Sequence, residues 1–452
     1  MDLELPTLMD LLACPRCDTA LDNLSCSACQ ITFPLHDGVP WLVADPEACR
    51  TQWRNRWHMA LASLQAQEEQ ARAALPEVAA RGPASERLES IIRGCVAQQQ
   101  SLRTLLGSLQ LGIPANLETY LALKTRLPSR MGLHSYDANA HRDWAWGEAE
   151  NAAALRGVTG LIAGQSPGRV LVLGAGAGRL AYDIHQALPD ALTVAMDLNP
   201  MLTTLLRQLA DGMSVEMTEF PLAPRRPSLS AITRRLEAPE PARPGFEVIL
   251  ADVTRPPFQA GTFDLVITPW LLDVIESPIG HMLAGLNRLL ADGGSWIYQG
   301  SAAFTPVSPQ DCGSLEELLV LAAASGFAVG DCREEILPYM TSPDSRHGRT
   351  ESVVNFLATR TSSAATVTRY QSLPDWIAKG RGAIPLLPAF QNQAFATRMH
   401  AFIMSLIDGK RSLKDMALVM EEQKIMPRAD AEAAIRGFLI KMYEEASSPA
   451  GL

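Results

Sequence analysis

The sequence predicts an α/β protein built on a doubly wound parallel sheet, with a small cysteine-rich module before it and a small helical domain after it. Three observations predict this. Between Gly168 and Arg360, short aliphatic runs alternate with helix-period segments; four cysteines fall between Cys14 and Cys29 as two CxxC pairs; and helical spacing resumes beyond a low-complexity stretch at Thr361 to Thr368. Strand and helix alternation implies crossover connections, and crossovers imply parallel pairing.

The chain has 452 residues, 47% hydrophobic and 19% charged, enough to bury a substantial core across several domains. A net charge of -10 argues against a general nucleic-acid binder, because phosphate affinity comes from clustered Lys and Arg. No stretch approaches ~18 uninterrupted apolar residues. The acidic start MDLELPT lacks a basic n-region and apolar h-region. The expectation is a soluble cytoplasmic protein with no membrane partner. Four further cysteines, Cys49, Cys95, Cys312 and Cys332, are scattered, which suits a reducing compartment.

Residues 1–45 consist of short runs broken by Pro, Gly and Asp and form the cysteine module. Residues 51–160 form a helical region leading into the sheet. Leu88, Ile91, Ile92, Cys95, Leu102, Leu105, Leu106 and Leu109 mark one helix face, Gly82-Pro83 splits the segment into two helices, and Gly112 with Pro114 supplies a stop. Residues 161–362 carry the sheet. Its strands are RVLVLG, LTVAMD, FEVILA, TFDLVITP and GGSWIYQG, with a helix around His281 to Leu290 between the last two. Phe220 to Pro244, rich in Pro and Arg, reads as a surface insertion. A helix at Ser314 to Gly326 and strands near Ala328 to Leu337 and Ser352 to Arg360 close the sheet. Residues 370–446 form the helical domain, with Phe395, Met399, Phe402, Ile403, Leu406 and Ile407 on one helix. Ser412 with Asp415 resembles a capping box for a second, and Ile435, Phe438, Leu439 and Met442 mark a third.

Cys14, Cys17, Cys26 and Cys29 can place four thiolates around one tetrahedral ion, and so small a module needs such a staple to hold a fold. Zn(2+) in a structural role is the leading reading, against a redox pair or chance. A closed four-thiolate site leaves no position for catalysis. With seven acids against one Arg through Asp45, the module does not suit RNA and reads as an interaction or scaffold element. Its arrangement, LLACPRCDTALDNLSCSACQITFPLHDGVPWLV, resembles the small zinc-ribbon family that activates tRNA, ribosomal and protein methyltransferases as a partner subunit.

After the strand Val170 to Leu173, Gly174, Gly176 and Gly178 let the backbone turn sharply and approach a ligand, and Arg179 opens the next helix, whose N-terminus offers free N–H groups. Nicotinamide enzymes begin this way too. Asp197 ends the second strand and Asp252 the third, and the sheet finishes with GTFDLVITPW and LLADGGSWIY. Together these resemble the class I methyltransferases, with their Rossmann-like sheet. The resemblance implies S-adenosyl-L-methionine as cofactor, with Gly174, Gly176, Gly178 and Arg179 against it, Asp197 on the ribose hydroxyls and Asp252 near the adenine amino group. For Asp252 a loop or N-cap acid is the competing reading.

A closer resemblance is to the carnosine N-methyltransferase family, which methylates a ring nitrogen of histidine in a small peptide. Its words recur in order: RDW at Arg142 to Trp144, VLVLGAGAGRLA at Val170 to Ala181, FP at Phe220 to Pro221, FDLVITPWLLD at Phe263 to Asp273, GGSWIYQG at Gly293 to Gly300, and LPYMTSPDS at Leu337 to Ser345. The match spans roughly residues 118–360. It implies that Asp273 holds the substrate imidazole and that Tyr339 lies near the pocket. Helix capping and core packing are the competing readings for these two. Arg142 and Trp144 either close over the cofactor or serve the structure. One departure is plain: after the GGSWI strand this chain reads Gly300-Ser301-Ala302-Ala303-Phe304-Thr305, where the family has a histidine.

The expectation is therefore an N-methyltransferase acting on a histidine-type imidazole in a small molecule, peptide or protein. Alternatives are a tRNA, rRNA or protein-glutamine methyltransferase of the zinc-ribbon-activated type, and a non-catalytic scaffold that binds the cofactor. Thr268-Pro269-Trp270-Leu271 stands where an Asn/Asp-Pro-Pro-Tyr motif would have favoured amide or base-amine transfer. The C-terminal domain, with ten basic and nine acidic residues from Tyr370 to Ala446, lacks a nucleic-acid footprint. Its DGKRSLKDMALVM phrase resembles helical winged domains that hold peptide precursors. A dimerisation or lid domain, and with it a homo-oligomer, is the competing reading.

Overall fold

The computed structural model describes residues 7–79, 81–109, 136–275, 277–306, 311–364 and 382–447. Two compact units divide at Ser372 and Leu373. The expected stop at Gly112 and Pro114, and the second half of the expected Thr361 to Thr368 linker, lie outside the described residues.

The first unit begins with helix α1 (Leu8–Leu11) and two small hairpins, β1 (Ser25–Cys26) with β2 (Ile31–Thr32) and β3 (Leu35–His36) with β4 (Val39–Leu42). Helix α2 (Pro46–Ala74) starts where the Asp45 side chain accepts from the Ala48 N–H, with Pro46 at its first position. Gly82-Pro83 separates it from α3 (Pro83–Leu105), as the sequence predicts. The two pack together through Trp57, whose Nε1 donates to the Leu102 carbonyl at 3.3 Å. Helix α4 (Asp137–His141) runs through a π-helical turn at Arg142–Trp146 into α5 (Glu148–Thr159).

The sheet segments follow: β5 (Arg169–Leu173), α6 (Arg179–Ala187), β6 (Leu192–Asp197), α7 (Pro200–Ala210), β7 (Ser214–Glu219), β8 (Ile232–Glu237), β9 (Phe246–Ala251), β10 (Phe263–Pro269), α8 (Ile279–Leu289), β11 (Leu290–Gly300), α9 (Leu315–Ala324), β12 (Phe327–Val329), β13 (Arg333–Tyr339) and β14 (Arg349–Arg360). The main sheet runs β12-β14-β11-β10-β5-β6-β9-β4-β3, with β13 on β14. Strands β9, β6, β5, β10 and β11 are parallel, and β14 lies antiparallel to β11. This is the doubly wound, methyltransferase-like fold. On β5, Val170 and Val172 join the core on one face and Leu171 and Leu173 the core on the other. Such two-sided burial explains why these strands read as unbroken aliphatic runs. The order reverses at β5, between β6 and β10, so the loops after those strands open a crevice at the carboxyl edge.

Two features add to the predicted picture. Strand β4 of the cysteine module pairs in parallel with β9, Trp41 opposite Leu250 and Leu42 opposite Ala251, so the module's last strand extends the main sheet. The stretch expected as a surface insertion lies largely at the surface, and it also contributes β8 to a hairpin with β7, with Leu236 fully buried. Helix α3 grips this arm: Ser90 Oγ donates to the Ser228 carbonyl, and Gln98 Oε1 accepts from the Thr218 N–H at 2.7 Å.

The second unit contains α10 (Pro388–Ser405), α11 (Leu413–Glu422) and α12 (Arg428–Ser447). The Ser412 and Asp415 capping box forms as expected, and Ile403, Leu406, Met416, Met420 and Ile435 make a small core. No described helix is long and apolar enough to cross a membrane.

Candidate active site and metal centre

The glycine loop lies between β5 and α6. Gly174, Gly176 and Gly178 all have positive φ, of 68°, 60° and 88°. Their surroundings differ. A Cβ at Gly174 would lie 2.6 Å from Leu271, and one at Gly178 2.3 Å from Leu206, so both must be glycine for packing. A Cβ at Gly176 would meet nothing within 4 Å. Gly176 therefore faces the crevice, where a ligand can approach the backbone.

Asp197, at the end of β6, turns back to this loop. Its Oδ2 accepts from the Gly176 N–H at 2.9 Å and its Oδ1 from the Asn199 N–H at 2.8 Å. Burial pushes its pKa above the usual carboxylate range, and the backbone N–H bonds oppose that shift. Asp252 follows β9; its Oδ1 accepts from the Thr254 N–H and hydroxyl at 2.8 and 2.7 Å, making a tight turn just past the strand. Both carboxylates thus stand at the carboxyl edge, where the sequence places them.

Arg142, Trp144 and Arg179 form a brace beside the loop. The buried Trp144 donates from Nε1 to the Ala177 carbonyl at 2.8 Å, locking the π-helical turn to the glycine loop. The Arg179 guanidinium lies over the Trp144 ring and donates to Asp183, Glu148 and the Asp143 carbonyl. Those contacts occupy Arg179 with protein partners. Arg142 is held by Asp143 at 2.6 and 2.8 Å, and its guanidinium lies 5.4 Å from the Tyr339 ring centroid.

Tyr339 ends β13. Its ring lies 4.5 Å from that of Trp270, and Arg349, opposite it across the β13–β14 pair, lies 4.8 Å from its centroid. Trp270 has φ 49°, the left-handed region that a bulky residue rarely adopts. This turn sharply reverses the chain after β10 and leads to Asp273. Asp273 Oδ2 accepts from Ser301 Oγ at 2.9 Å and from the Ala303 N–H at 3.2 Å. Its Oδ1 accepts nothing among the described residues.

Two residues of this site were not singled out from the sequence. Ser301 stands at the start of the segment where the carnosine-type resemblance leads one to expect a histidine, and it orients Asp273 instead. The missing histidine was legible; the substitute hydroxyl was not. Tyr136 is half-buried, and its phenol pKa is raised by burial and then by its neighbours, the Asp197 and Asp273 carboxylates among them. It therefore lies within electrostatic reach of both Asp197 and Asp273. Its only sequence signal is its place six residues before the Arg142 to Trp144 motif.

The four cysteines of the N-terminal module converge as predicted. Their sulfurs all lie within 4.8 Å of one another, with Cys14 to Cys29 at 3.9 Å and Cys17 to Cys26 at 3.5 Å. A tetrahedral ion with metal–sulfur bonds of about 2.3 Å needs sulfurs about 3.8 Å apart. Backbone N–H groups of Arg16 and Cys29 point at Cys14 and Cys26 sulfurs at 3.4 Å, the knuckle geometry that stabilises thiolates. Burial pushes the Cys29 thiol up to about 11, so without a cation it stays protonated. The donor set fits a tetrahedral, thiolate-preferring metal ion.

No protein-family model matches the chain, and no curated protein sequence matches it. Solved structures do. A candidate methyltransferase of Bacillus halodurans aligns with 47% of this chain and 100% of its own length, at 11% identity and a TM-score of 0.33. A possible histamine N-methyltransferase of Thermotoga maritima aligns with 49% and 91%, at 14% identity and 0.29. A S-adenosylmethionine-dependent methyltransferase of Methanosarcina mazei aligns with 43% and 93%, at 15% identity and 0.29. With scores of that size, the strand order carries the assignment of the fold.

Proposed function

We propose that this protein is an S-adenosylmethionine-dependent N-methyltransferase whose acceptor is a histidine-type imidazole. The observation that carries the reading is Asp273: one carboxylate oxygen is fixed by Ser301 and Ala303, the other is unengaged, and the group stands at the carboxyl edge of β10. The family words quoted above support the imidazole.

Gly176 fits the cofactor because its open face leaves room for a ligand against the backbone. Asp197 would hold the ribose hydroxyls and Asp252 the adenine amino group. Bound S-adenosylmethionine supplies an electrophilic methyl. Asp273 Oδ1 accepts the N–H of a neutral imidazole, which fixes the tautomer and leaves the lone pair of the other ring nitrogen free for attack. As the nitrogen–methyl bond forms and the methyl–sulfur bond breaks, S-adenosylhomocysteine would be the leaving group; the same carboxylate would stabilise the ring cation, whose N–H proton would pass to solvent after product release. Trp270 and Tyr339, whose ring centroids lie 4.5 Å apart, would wall the crevice beside Asp273. Trp144 and Arg179 keep the glycine loop in place, so catalysis rests on positioning.

For the cysteine site we propose structural zinc, because four clustered thiolates with no open position suit that ion.

The test is methyl transfer from labelled cofactor to histidine, carnosine-like dipeptides and histidine-containing peptides, screened together. Label on an imidazole nitrogen supports the reading. Transfer only to a non-imidazole acceptor, or cofactor binding with no transfer to any acceptor in a cell extract, overturns it.

A further inference from the structure

The loop between β13 and β14 begins directly after Tyr339 and is stitched to the arm segment before β8. Pro224 bridges to Ser345, the Arg225 N–H donates to the Asp344 carbonyl, and the Arg346 N–H donates to the Ala223 carbonyl, both at 2.9 Å. The result is a fixed rim beside the acceptor aromatic.

That rim is cationic. Arg225, Arg226, Arg346 and Arg349 are all exposed on it. Its carboxylates are engaged: Asp344 pairs with Arg234 at 2.6 Å, Glu351 with Arg349 at 2.7 Å, and Glu150 accepts from the Met340 and Thr341 N–H groups at 3.0 and 3.1 Å. Arg225 donates to the Pro343 carbonyl and Arg346 to the Arg225 carbonyl, which holds both guanidinium groups in position without neutralising them. Arg225, Arg226 and Arg346 have no carboxylate partner among the described residues. Three unmatched arginines on interlocked backbone, in a protein of net charge -10, are a local reversal of sign at the mouth of the acceptor site.

We infer that the acceptor is presented within an acidic peptide segment, free or part of a protein, whose Asp and Glu side chains lie along this rim while the imidazole enters beside Tyr339 and Asp273. The inference rests on the methyl-transfer reading. A single carboxylate would need one guanidinium; three unmatched ones on two crossing segments suit a run of acidic residues, each able to take a charge-assisted bond. An RNA is disfavoured, because phosphate binding at physiological salt calls on a broad basic face and the remainder of the chain is acidic.

The experiment uses the full chain and fluorescent peptides followed by anisotropy: one histidine flanked by Asp and Glu, the same histidine flanked by Gly and Ser, and a short single-stranded RNA. The acidic peptide should bind at least about tenfold more tightly than the neutral one, with an advantage that shrinks as salt shortens the screening length. Combined R225E, R226E and R346E should abolish that advantage without changing cofactor affinity. R226E alone, whose side chain makes no described contact, should reduce it by about threefold and guards against loss of folding in the triple variant. Equal binding of the acidic and neutral peptides, an unchanged preference in a folded R226E chain and triple variant, or tighter binding of the RNA overturns the inference. Failure of the two readings is distinguishable: acidic-peptide binding without methyl transfer keeps the rim and sinks the activity. Equal methylation of both peptides keeps the activity and sinks the rim.

Discussion

The backbone N–H of Ala13 donates to the carbonyl of Pro257 at 2.8 Å, tying the residue before Cys14 to the loop that follows Asp252. The tie is repeated. The Gln259 N–H donates to the Leu11 carbonyl, Gln259 Nε2 to the Asp10 carbonyl, and β4 pairs with the last two residues of β9. The cysteine module therefore clamps the loop of the proposed adenine-side acid from both ends, an internal scaffold for the sheet.

Replacing Cys14 and Cys17 by Ser should release the metal and, through this clamp, weaken S-adenosylmethionine binding by about tenfold, an outer-shell effect on Asp252. Metal analysis and calorimetry on the same preparation check both parts. A variant with full metal content contradicts the centre; metal loss with unchanged cofactor affinity contradicts the clamp.

Gly176→Arg should abolish cofactor binding while leaving the fold largely intact, since its side chain points into open crevice and the left-handed backbone costs only about 1–2 kcal/mol. Gly178→Ala should behave oppositely, lowering the thermal midpoint because its Cβ would overlap the Leu206 side chain. Normal cofactor binding by a folded Gly176→Arg chain would place the pocket elsewhere.

Asp197 gives a pH dependence with a definite sign. Its folded pKa is raised, so the folded chain holds that proton more tightly than the unfolded chain, and ionising it costs stability as pH climbs from the ordinary carboxylate value through the raised one. Cofactor binding needs the carboxylate and should strengthen over that same window. Asp197→Asn should flatten that part of the stability profile and weaken binding at neutral pH. An identical pH profile for affinity in wild type and variant would remove Asp197 from the cofactor site.

Ser301→Ala removes one hydrogen bond to Asp273 and leaves the Ala303 N–H in place. Turnover should fall by about three- to tenfold, with cofactor affinity unchanged and activity restored by Thr at that position. Unchanged turnover would make the contact incidental.

Much of this was legible in the sequence because it is written in local chemistry. Alternating aliphatic runs fix the strands, Gly82-Pro83 breaks the helical pair, and the CxxC spacing brings four sulfurs together. The rest depends on contacts between distant segments. The β4–β9 pairing joins Trp41 to Leu250, and nothing in either segment announces the other. The three-way distinction among Gly174, Gly176 and Gly178 depends on Leu271 and Leu206. Ser301 and Tyr136 gain meaning only from the carboxylates they face, and the arm is tied down because α3 supplies Gln98 and Ser90 to the β7–β8 segment.

The central claim is that Asp273 captures the acceptor N–H. Its most direct test is steady-state methyl transfer by Asp273→Asn, with cofactor affinity measured on the same protein. The amide keeps the size but loses the charge that sets the tautomer and stabilises the ring cation. Turnover should fall roughly a hundredfold or more, on the order of 3 kcal/mol, with cofactor binding nearly unchanged. An Asp273→Asn enzyme with full turnover on its imidazole acceptor would contradict the account.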